Sequence, residues 1–379
     1  MTLVSDFDFA LPDELIAQHA AARGTSRLFV LNRHDGTVEH ATVRDLPHLL
    51  HAGDLLVAND TRVFPARLLG HRVPSGGAVE CLLLTRQEAS REPRSSRLRQ
   101  GYGGQAILPP SPPSGYGEAG DVWTALVHPG QKLKPGAIVR FESDAGVLMA
   151  EILERQLFGR RRIRLWAEGG QDVDALVDAM GHVPLPPYIH RTDTADDRER
   201  YQTVFASARG SIAAPTAGLH FDDPLLAAID ASGGRRATIT LHVGYGTFKP
   251  VRSDEVEAHV VDPEPYDISP AAAAAINGAL DEGRRVVAVG TTTTRALEDA
   301  AGRGGGRVRP GRAEAELFIH PGFEFQVISG LMTNFHLPKS SLLMLVAAFA
   351  GRERVLAAYA QAVAQRYRFY SYGDAMLVI

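Results

Sequence analysis

Residues 286–295 read Val-Val-Ala-Val-Gly-Thr-Thr-Thr-Thr-Arg: an apolar run short enough for a buried strand, a glycine, four hydroxyl side chains and an arginine that opens a helical stretch. Upstream, Ala237 to Val243 reads as a strand and Pro270 to Glu282 as a helix, and Arg295 to Ala301 continues as helix downstream. Strands alternating with helices argue for an α/β core. Toward the other end, apolar Leu28 to Leu31 precedes the hairpin-like Asp35-Gly36, and Gly53-Asp54 leads into the buried-strand run Leu55 to Ala58. The texture between these regions differs. Val79 to Leu84, Val122 to Val127, Ala137 to Phe141, Val147 to Leu153 and Arg161 to Trp166 read as short strands separated by turn residues, the pattern of a small closed β-barrel. A helical stretch, Val173 to Met180, and a Pro-rich connector, Pro184 to Pro187, follow. The expected organisation is a discontinuous α/β domain over 1–67 and 169–379, interrupted by an all-β barrel domain over 68–168. Between Ser90 and Gly120, 16 of 31 residues are Gly, Pro or Ser, with Arg91, Arg94, Arg97 and Arg99 at the start. Such a segment buries little, so a flexible insertion is expected at about 87–120, with a basic RNA-touching arm as the alternative.

The 379 residues carry 40 Lys plus Arg against 44 Asp plus Glu, a formal net charge of −4, which excludes a broadly basic nucleic-acid coat but not a local basic face. Only four of the basic residues, 132, 134, 249 and 339, are lysines. Base-composition bias explains that, and so does a use for planar bidentate anion contacts. The opening MTLVSDFDFALPDEL carries acid where a secretory signal carries base. The longest aliphatic run, Leu342 to Ala350, is far short of the roughly 20 residues that span a bilayer. Cys81 is the single cysteine, so no intrachain disulfide or Cys-based zinc site is expected. A cytoplasmic protein without a membrane partner follows.

Five polar segments follow apolar runs, where α/β folds place their sites. Asn59-Asp60-Thr61-Arg62 is one, with a capped turn as its structural alternative. Ala213 to Phe221, AAPTAGLHF, offers small residues for close ligand approach and His220, which titrates near neutrality unless it is a satisfied core histidine. Leu241 to Phe248, LHVGYGTF, presents His242 and the weak Gly244-Tyr245-Gly246 signal. The Thr291 to Arg295 run suits an anion, because helix amides, Thr hydroxyls and a guanidinium converge, yet it lacks the lysine and spacing of a P-loop. Leu331 to Ser341 places Asn334, His336 and Lys339 ahead of an apolar helix, and Tyr367, Phe369, Tyr370 and Tyr372 precede Gly373-Asp374. His220, His242, His259, His320 and His336 show neither i, i+4 nor H-x-H spacing, so no metal site is expected.

In this order the segments resemble the S-adenosylmethionine:tRNA ribosyltransferase-isomerases of queuosine biosynthesis. VSDFDFALPDELIA, GDLLVANDTRVFPARLLG, MGHVPLPPYI, RYQTVFA, AAPTAGLHF, LHVGYGTFKPV, VVAVGTTTTRALE, LFIHPGF, TNFHLPKSSLLMLVAAFAGRERVLAAY and RYRFYSYGDAMLVI carry the likeness, and only Gln87 to Gly120 falls outside it. One departure stands out: where the family shows H-x-M-H-S-E, this chain keeps His259 and Glu264 but has Val261 and Asp262 for the Met and second His. The resemblance implies an α/β-barrel-like main domain with an inserted small β-barrel. It implies ribosyl transfer and isomerisation from S-adenosylmethionine, a consumed cosubstrate, onto 7-aminomethyl-7-deazaguanine at the tRNA wobble position. The products are epoxyqueuosine-tRNA, adenine and methionine. No metal or redox cofactor is needed, and a monomer with no stable protein partner is expected.

On that reading His220 and His242 are the leading acid–base candidates, with the choice between them open. Arg62 or Arg295, assisted by Thr291 and Thr292, is expected to hold the methionine carboxylate. Asp60, Glu264 and Asp374 are candidates for the ammonium, the sulfonium or the ribose hydroxyls, and Tyr245 or Tyr372 for the sulfonium or a base. Asn59, Thr61, Thr216, Gly244, Gly246, Thr247, His259, Asn334 and His336 complete the expected substrate-binding set. For tRNA, the run Arg155, Arg160, Arg161, Arg162 and Arg164 is the expected phosphate contact, with Arg303, Arg307, Arg309 and Arg312 as a second run. A barrel-type metal hydrolase and a non-catalytic tRNA-binding module are the competing classes, and adenine release separates them from the enzyme.

Overall fold

The computed structural model describes residues 2–87, 120–248 and 251–379. The expected insertion, apart from its flanking Gln87 and Gly120, lies outside the described residues, as does the arginine cluster at its start. The chain forms two compact units, Met1–Phe64 with Leu185–Ile379, and Pro65–Pro184.

In chain order the first unit opens with β1 (Arg27–Leu31), β2 (Val38–Thr42), β3 (Leu55–Asn59) and β4 (Thr61–Val63). The second unit contributes β5 (Arg67–Val73), β6 (Ala78–Arg86), β7 (Asp121–His128), β8 (Ile138–Ser143), β9 (Gly146–Arg155) and β10 (Arg160–Ala167). The first unit resumes with β11 (Ala208–Ser211), β12 (Arg235–Leu241), β13 (Glu264–Ile268), β14 (Val286–Val289), β15 (Gly311–Ala315), β16 (Gly330–Asn334) and β17 (Ala375–Val378).

The second unit is a closed barrel in the order β10-β7-β6-β5-β8-β9, every pair antiparallel. Alternate residues fill it: Val79, Cys81 and Leu83 on β6, and Ile163 and Leu165 on β10 are buried, as a two-residue side-chain period requires. Burial pushes the Cys81 thiol up to about 12, so it packs as an inert apolar group. The unit ends at Pro184 and not at Glu168, because the helix Val173–Met180 belongs with the barrel. Asp172 caps that helix, Leu176 and Val177 are buried, and Asp174 pairs with Arg86 of β6 at 2.9 Å.

The same alternation divides the arginine run expected to bind tRNA. Arg161 points inward and is buried; its guanidinium donates to the carbonyls of Gly159, Arg160 and Gly130 at 3.2, 2.9 and 3.0 Å. It braces a turn and is not available to phosphate. Arg162 and Arg164 face outward beside Glu154 and Glu151 at 3.5 and 3.8 Å, and Arg155 is exposed, reaching the Gln131 carbonyl at 3.4 Å. In the second run Arg303 pairs with Asp299 at 2.7 Å, Arg312 pairs with Asp267 at 2.9 Å, and Arg307 pairs with Asp281.

The first unit is built on a nine-stranded mixed sheet in the order β15-β13-β12-β3-β14-β16-β17-β1-β2. This corrects the barrel-like main domain implied by the resemblance: the ladder is open, ending at β15 and β2. Both ends are strands of antiparallel pairs with largely exposed side chains, a form that terminates a sheet. The central strands β3, β14, β16 and β17 are buried on both faces, which is why they read as continuous apolar runs. Successive residues serve opposite cores. Leu55 and Val57 of β3 pack with Ile276 and Leu297 from the helices Pro270–Asp281 and Thr291–Arg303. Leu56 and Ala58 pack with Leu225 and Ile229 from the helix Asp223–Ala231.

Candidate active site

Several strands of the main sheet end in polar segments that converge. Gly290, after β14, has φ +97°, a conformation open to glycine at little cost, and turns the chain into the helix Thr291–Arg303. Thr293 and Thr294 donate back to the carbonyls of Val289 and Gly290 at 2.7 and 3.2 Å. Thr291 and Thr292 instead line a cleft of ≈430 Å³ at the amino end of that helix. Its other walls are Ala213–Ala217, Val243, Thr247, Asn334, the segment His336–Ser340, and Tyr188 with Tyr370 and Ser371. A smaller cavity of ≈70 Å³ shares Thr247, Thr291, Thr292 and Leu342 with the cleft, and adds Gly246, His259, Asp262, Glu264, Arg295 and Phe318.

Charge in the small cavity is tightly held. Glu264 Oε2 accepts from Arg295 Nη1 at 2.8 Å, and Oε1 accepts from Gly244 N at 2.8 Å and Thr247 Oγ1 at 3.3 Å. Burial pushes the Glu264 carboxyl up, with Arg295 opposing the shift. Arg295 also donates from Nε to the Leu317 carbonyl at 2.8 Å and from Nη2 to the Asp262 and Ala315 carbonyls at 2.9 and 2.6 Å. Four of its five N–H groups are thus in use, so the bidentate grip on a ligand carboxylate considered for Arg295 is excluded, and it acts as a brace for Glu264. Gly246 has no room for a side chain, since a Cβ would lie 2.8 Å from Asp262 Oδ2. His259 sits edge-on to Phe318, 5.1 Å between centroids, and burial lowers its pKa while Asp262 opposes the shift.

The cleft has an aromatic end, and Lys339 stands at its rim. Tyr188 and Tyr370 stack with centroids 3.9 Å apart and planes at 33°, and the Tyr188 hydroxyl bonds to Ser371. Lys339 pairs with Asp8 at 2.6 Å. His336 is buried, bonds through Nε2 to Thr333 Oγ1 at 2.8 Å, and is pushed down to about 3 by burial, so its ring is neutral.

Thr216, Thr247, Thr291, Thr292, Asn334 and His336 therefore line the cleft, and Gly246, His259, Glu264 and Arg295 the smaller cavity. The two leading acid–base candidates stand elsewhere. His220 is buried behind the wall, with Nδ1 2.9 Å from Ser26 Oγ and Nε2 3.1 Å from Asn334 Nδ2, and burial takes it down to about 4. His242 alternates with Val243, so the valine meets the cleft while the imidazole turns to Thr61 Oγ1 at 2.7 Å. Asn59, Asp60, Thr61 and Arg62 go with it. Asn59 stitches β3 to Leu241 through both backbone groups, at 2.8 and 3.0 Å. Asp60 accepts from Thr240 and Ser207, at 2.6 and 3.2 Å, and Arg62 is exposed on β4. Gly244 serves Glu264, and Tyr245 begins a short 3₁₀ turn outside both linings. Tyr372 donates to Asp197, itself clamped by Arg191, while Asp374 accepts from the backbone N–H groups of Arg27 and Arg368; both are structural.

The reading of the sequence passed over Tyr188 and chose Tyr372 where the cleft uses Tyr370. Tyr188 directly follows the Pro-rich connector, within the motif MGHVPLPPYI, which is a usable signal. The positive φ of Tyr370, +72°, turns it inward and leaves no mark in the sequence. Among the described residues no three His, Cys, Asp or Glu side chains converge as a metal-binding group, and no helix is long and apolar enough to cross a membrane.

A polar and aromatic cleft at the strand ends of a mixed sheet is the usual form of a ligand site in an α/β enzyme. Residues 4–378 match the family model described as queuosine biosynthesis protein. The chain is 48% identical over 377 residues to an S-adenosylmethionine:tRNA ribosyltransferase-isomerase of Heliobacterium modesticaldum, covering 99% of both. It is 47% identical over the same span, again 99% of both, to one of Anaeromyxobacter dehalogenans. A crystal structure of S-adenosylmethionine tRNA ribosyltransferase from Thermotoga maritima is similar with a TM-score of 0.51 and 34% identity, over 99% of this chain and 100% of that one. The chain belongs to the queuosine biosynthesis protein family.

Proposed function

We infer that the protein transfers and isomerises the ribosyl group of S-adenosylmethionine onto 7-aminomethyl-7-deazaguanine at the tRNA wobble position, giving epoxyqueuosine-tRNA, adenine and methionine. The observation that carries this reading is near-half identity over the full chain to relatives named for that activity. The cleft suits the cosubstrate, since ≈430 Å³ lies within the range of small-molecule sites.

The helix start at Thr291 and Thr292 takes the methionine carboxylate, because its backbone N–H groups and macrodipole favour an anion. The Tyr188–Tyr370 end takes the flat base. The sulfonium acidifies the protons on the adjacent 5′ carbon and later departs with methionine, so no metal or redox cofactor is required. A base must still remove that proton. His259 is better suited than His220 or His242: it lines the cavity that opens at Thr291 and Thr292, and its ring nitrogens make no hydrogen bond among the described residues, whereas His220 has both nitrogens occupied and His242 is turned to Thr61. Its lowered pKa leaves the imidazole neutral and basic near pH 7. The tRNA amine must also lose a proton to attack, and Asp262 stands beside His259 to hold it. Exclusion of water protects the activated ribose. The outward Arg155, Arg160, Arg162 and Arg164 of the barrel contact tRNA phosphates, and the protein works as a cytoplasmic monomer.

Adenine release from S-adenosylmethionine in the presence of precursor-modified tRNA tests the reaction. Stoichiometric adenine and modified tRNA are expected; methyl transfer without adenine overturns it. His259→Gln should lower turnover by about 10²-fold or more, and wild-type turnover in that variant removes the base assignment.

A further inference from the structure

Asn334 ends β16, is 2% exposed and lines the cleft. Its Nδ2 donates to the Tyr370 carbonyl at 3.0 Å and faces His220 Nε2 at 3.1 Å. A carbonyl can only accept, so this bond fixes which end of the amide is nitrogen. His220 Nε2 then accepts as well, and its Nδ1–H is donated to Ser26 Oγ at 2.9 Å. Both amide protons of Asn334 are spent on the protein. The oxygen Oδ1 is buried and has no hydrogen-bond partner. A folded chain rarely leaves a buried acceptor unmade unless something else supplies the donor.

The position of this orphan oxygen limits the donor. The bond to the Tyr370 carbonyl holds it at the aromatic end, beside the stacked Tyr188 and Tyr370 rings, while the anion-binding helix start is formed by Thr291 and Thr292. Flat aromatic rings beside the buried acceptor Asn334 Oδ1, with the Tyr370 hydroxyl likewise unpartnered, suit an aromatic base that carries an amino group on its edge.

We propose that Asn334 Oδ1 accepts a hydrogen bond from the exocyclic amine of the adenine base of bound S-adenosylmethionine, so that Asn334 selects a 6-amino purine against a 6-oxo purine. His220 is a positioning residue that holds the amide in this orientation. The proposal rests on the reading that S-adenosylmethionine occupies the cleft. A 6-oxo purine would set an acceptor against an acceptor, and a purine unsubstituted at that carbon would leave Oδ1 unpaired.

The test compares S-adenosylmethionine, its inosine counterpart and its 6-unsubstituted purine counterpart on the full chain. Binding is followed by calorimetry and base release is followed with precursor-modified tRNA. The wild-type protein should prefer the 6-amino form by roughly 10²-fold or more over either analogue. Asn334→Ala should treat all three within a few-fold. His220→Gln, whose amide oxygen can still accept from Asn334, should keep most of the preference, and His220→Leu should lose it; a merely structural role would lower use of every base equally and leave the ratio unmoved. Because the preference is measured on the wild-type chain, poor folding of a variant does not rescue the idea. Turnover of S-adenosylmethionine without base preference overturns the proposal and leaves the reaction standing. Binding with the stated preference but no adenine release does the reverse, and absence of binding overturns both.

Discussion

Replacing Arg295 by Met leaves the Glu264 carboxylate inside the protein without its cation. The pair is desolvated, with side-chain exposures of 13% for Arg295 and 5% for Glu264, and removing one partner of such a pair costs about 3–5 kcal/mol. The carbonyls of Asp262, Ala315 and Leu317 lose their donor as well, which puts the expectation at the upper end. The cost depends on pH in a direction set by Glu264. Burial already raises its pKa despite Arg295. A carboxyl with a folded pKa above its unfolded value favours the folded state fully below the unfolded value and loses that contribution as pH rises through the folded value. Arg295→Met removes the main opposing influence, so the folded pKa climbs further, at about 1.4 kcal/mol per unit. The variant should be about 3–5 kcal/mol less stable than wild type near pH 7.5 and less impaired near pH 5, since Glu264 takes up its proton more readily in the variant than in wild type. Urea unfolding followed by helical ellipticity reports mainly the first unit, and fluorescence of Trp123 and Trp166, both in the barrel unit, is the control. Adding Glu264→Gln should recover part of the loss through a coupling of roughly 1–3 kcal/mol. A loss below about 1 kcal/mol, equal at both pH values, would refute the view that Glu264 is a buried anion braced by Arg295.

Three further outcomes follow from the geometry. His242→Gln should keep near-wild-type turnover, since its imidazole is turned to Thr61 and away from the cleft; a drop of about 10²-fold in adenine release at unchanged stability would return it to the active site. Gly246→Ala should impair turnover more than stability, because the new methyl would press Asp262 at 2.8 Å into the small cavity; steady-state kinetics beside an unfolding curve separate the two effects. In the barrel, Arg161→Ala should cost about 1–3 kcal/mol by removing the bonds of a buried guanidinium to the Gly159, Arg160 and Gly130 carbonyls, read by tryptophan fluorescence. Arg162→Gln should instead lower the salt slope of tRNA binding by about one, and equal behaviour of the two would contradict the inward and outward assignment.

Much of the architecture was legible because buried strands advertise themselves. Val286–Val289 and Leu55–Ala58 are apolar on both faces, and both are strands at the centre of the sheet. The barrel strands were legible in another way, as short runs separated by turn residues with no helix between them. Sheet order was not, since pairing of β17 with β1 joins segments far apart in sequence, and no local pattern encodes a partner. The helix expected from Arg295 begins at Thr291 because Gly290 allows a turn that propensity does not reveal. In the site, segments were easier to find than side chains. LHVGYGTF does reach the cleft, but through Val243 and Thr247, with His242 on the other face. Arg161 was misassigned for the same reason: one residue of register on a strand exchanges solvent for interior. The orphan oxygen of Asn334 depends on where Tyr370 and His220 fall in space, information that only the fold supplies.

The place of β17 also bears on how the molecule is made. It is the last strand in sequence, yet it lies between β16 and β1, buried along its length. Until it leaves the ribosome, the β1–β2 hairpin has no connection to the rest of its sheet, and two interior edges stand open to other chains. The barrel, drawn from one continuous stretch, is under no such constraint and can be complete early in synthesis. Nascent protein thus passes through a stage with one finished unit and one unfinished sheet, when a chaperone is most needed. A chain stopped before Tyr370 would also lack the carbonyl that orients Asn334, so prematurely terminated products would lack the oriented amide as well as the finished sheet.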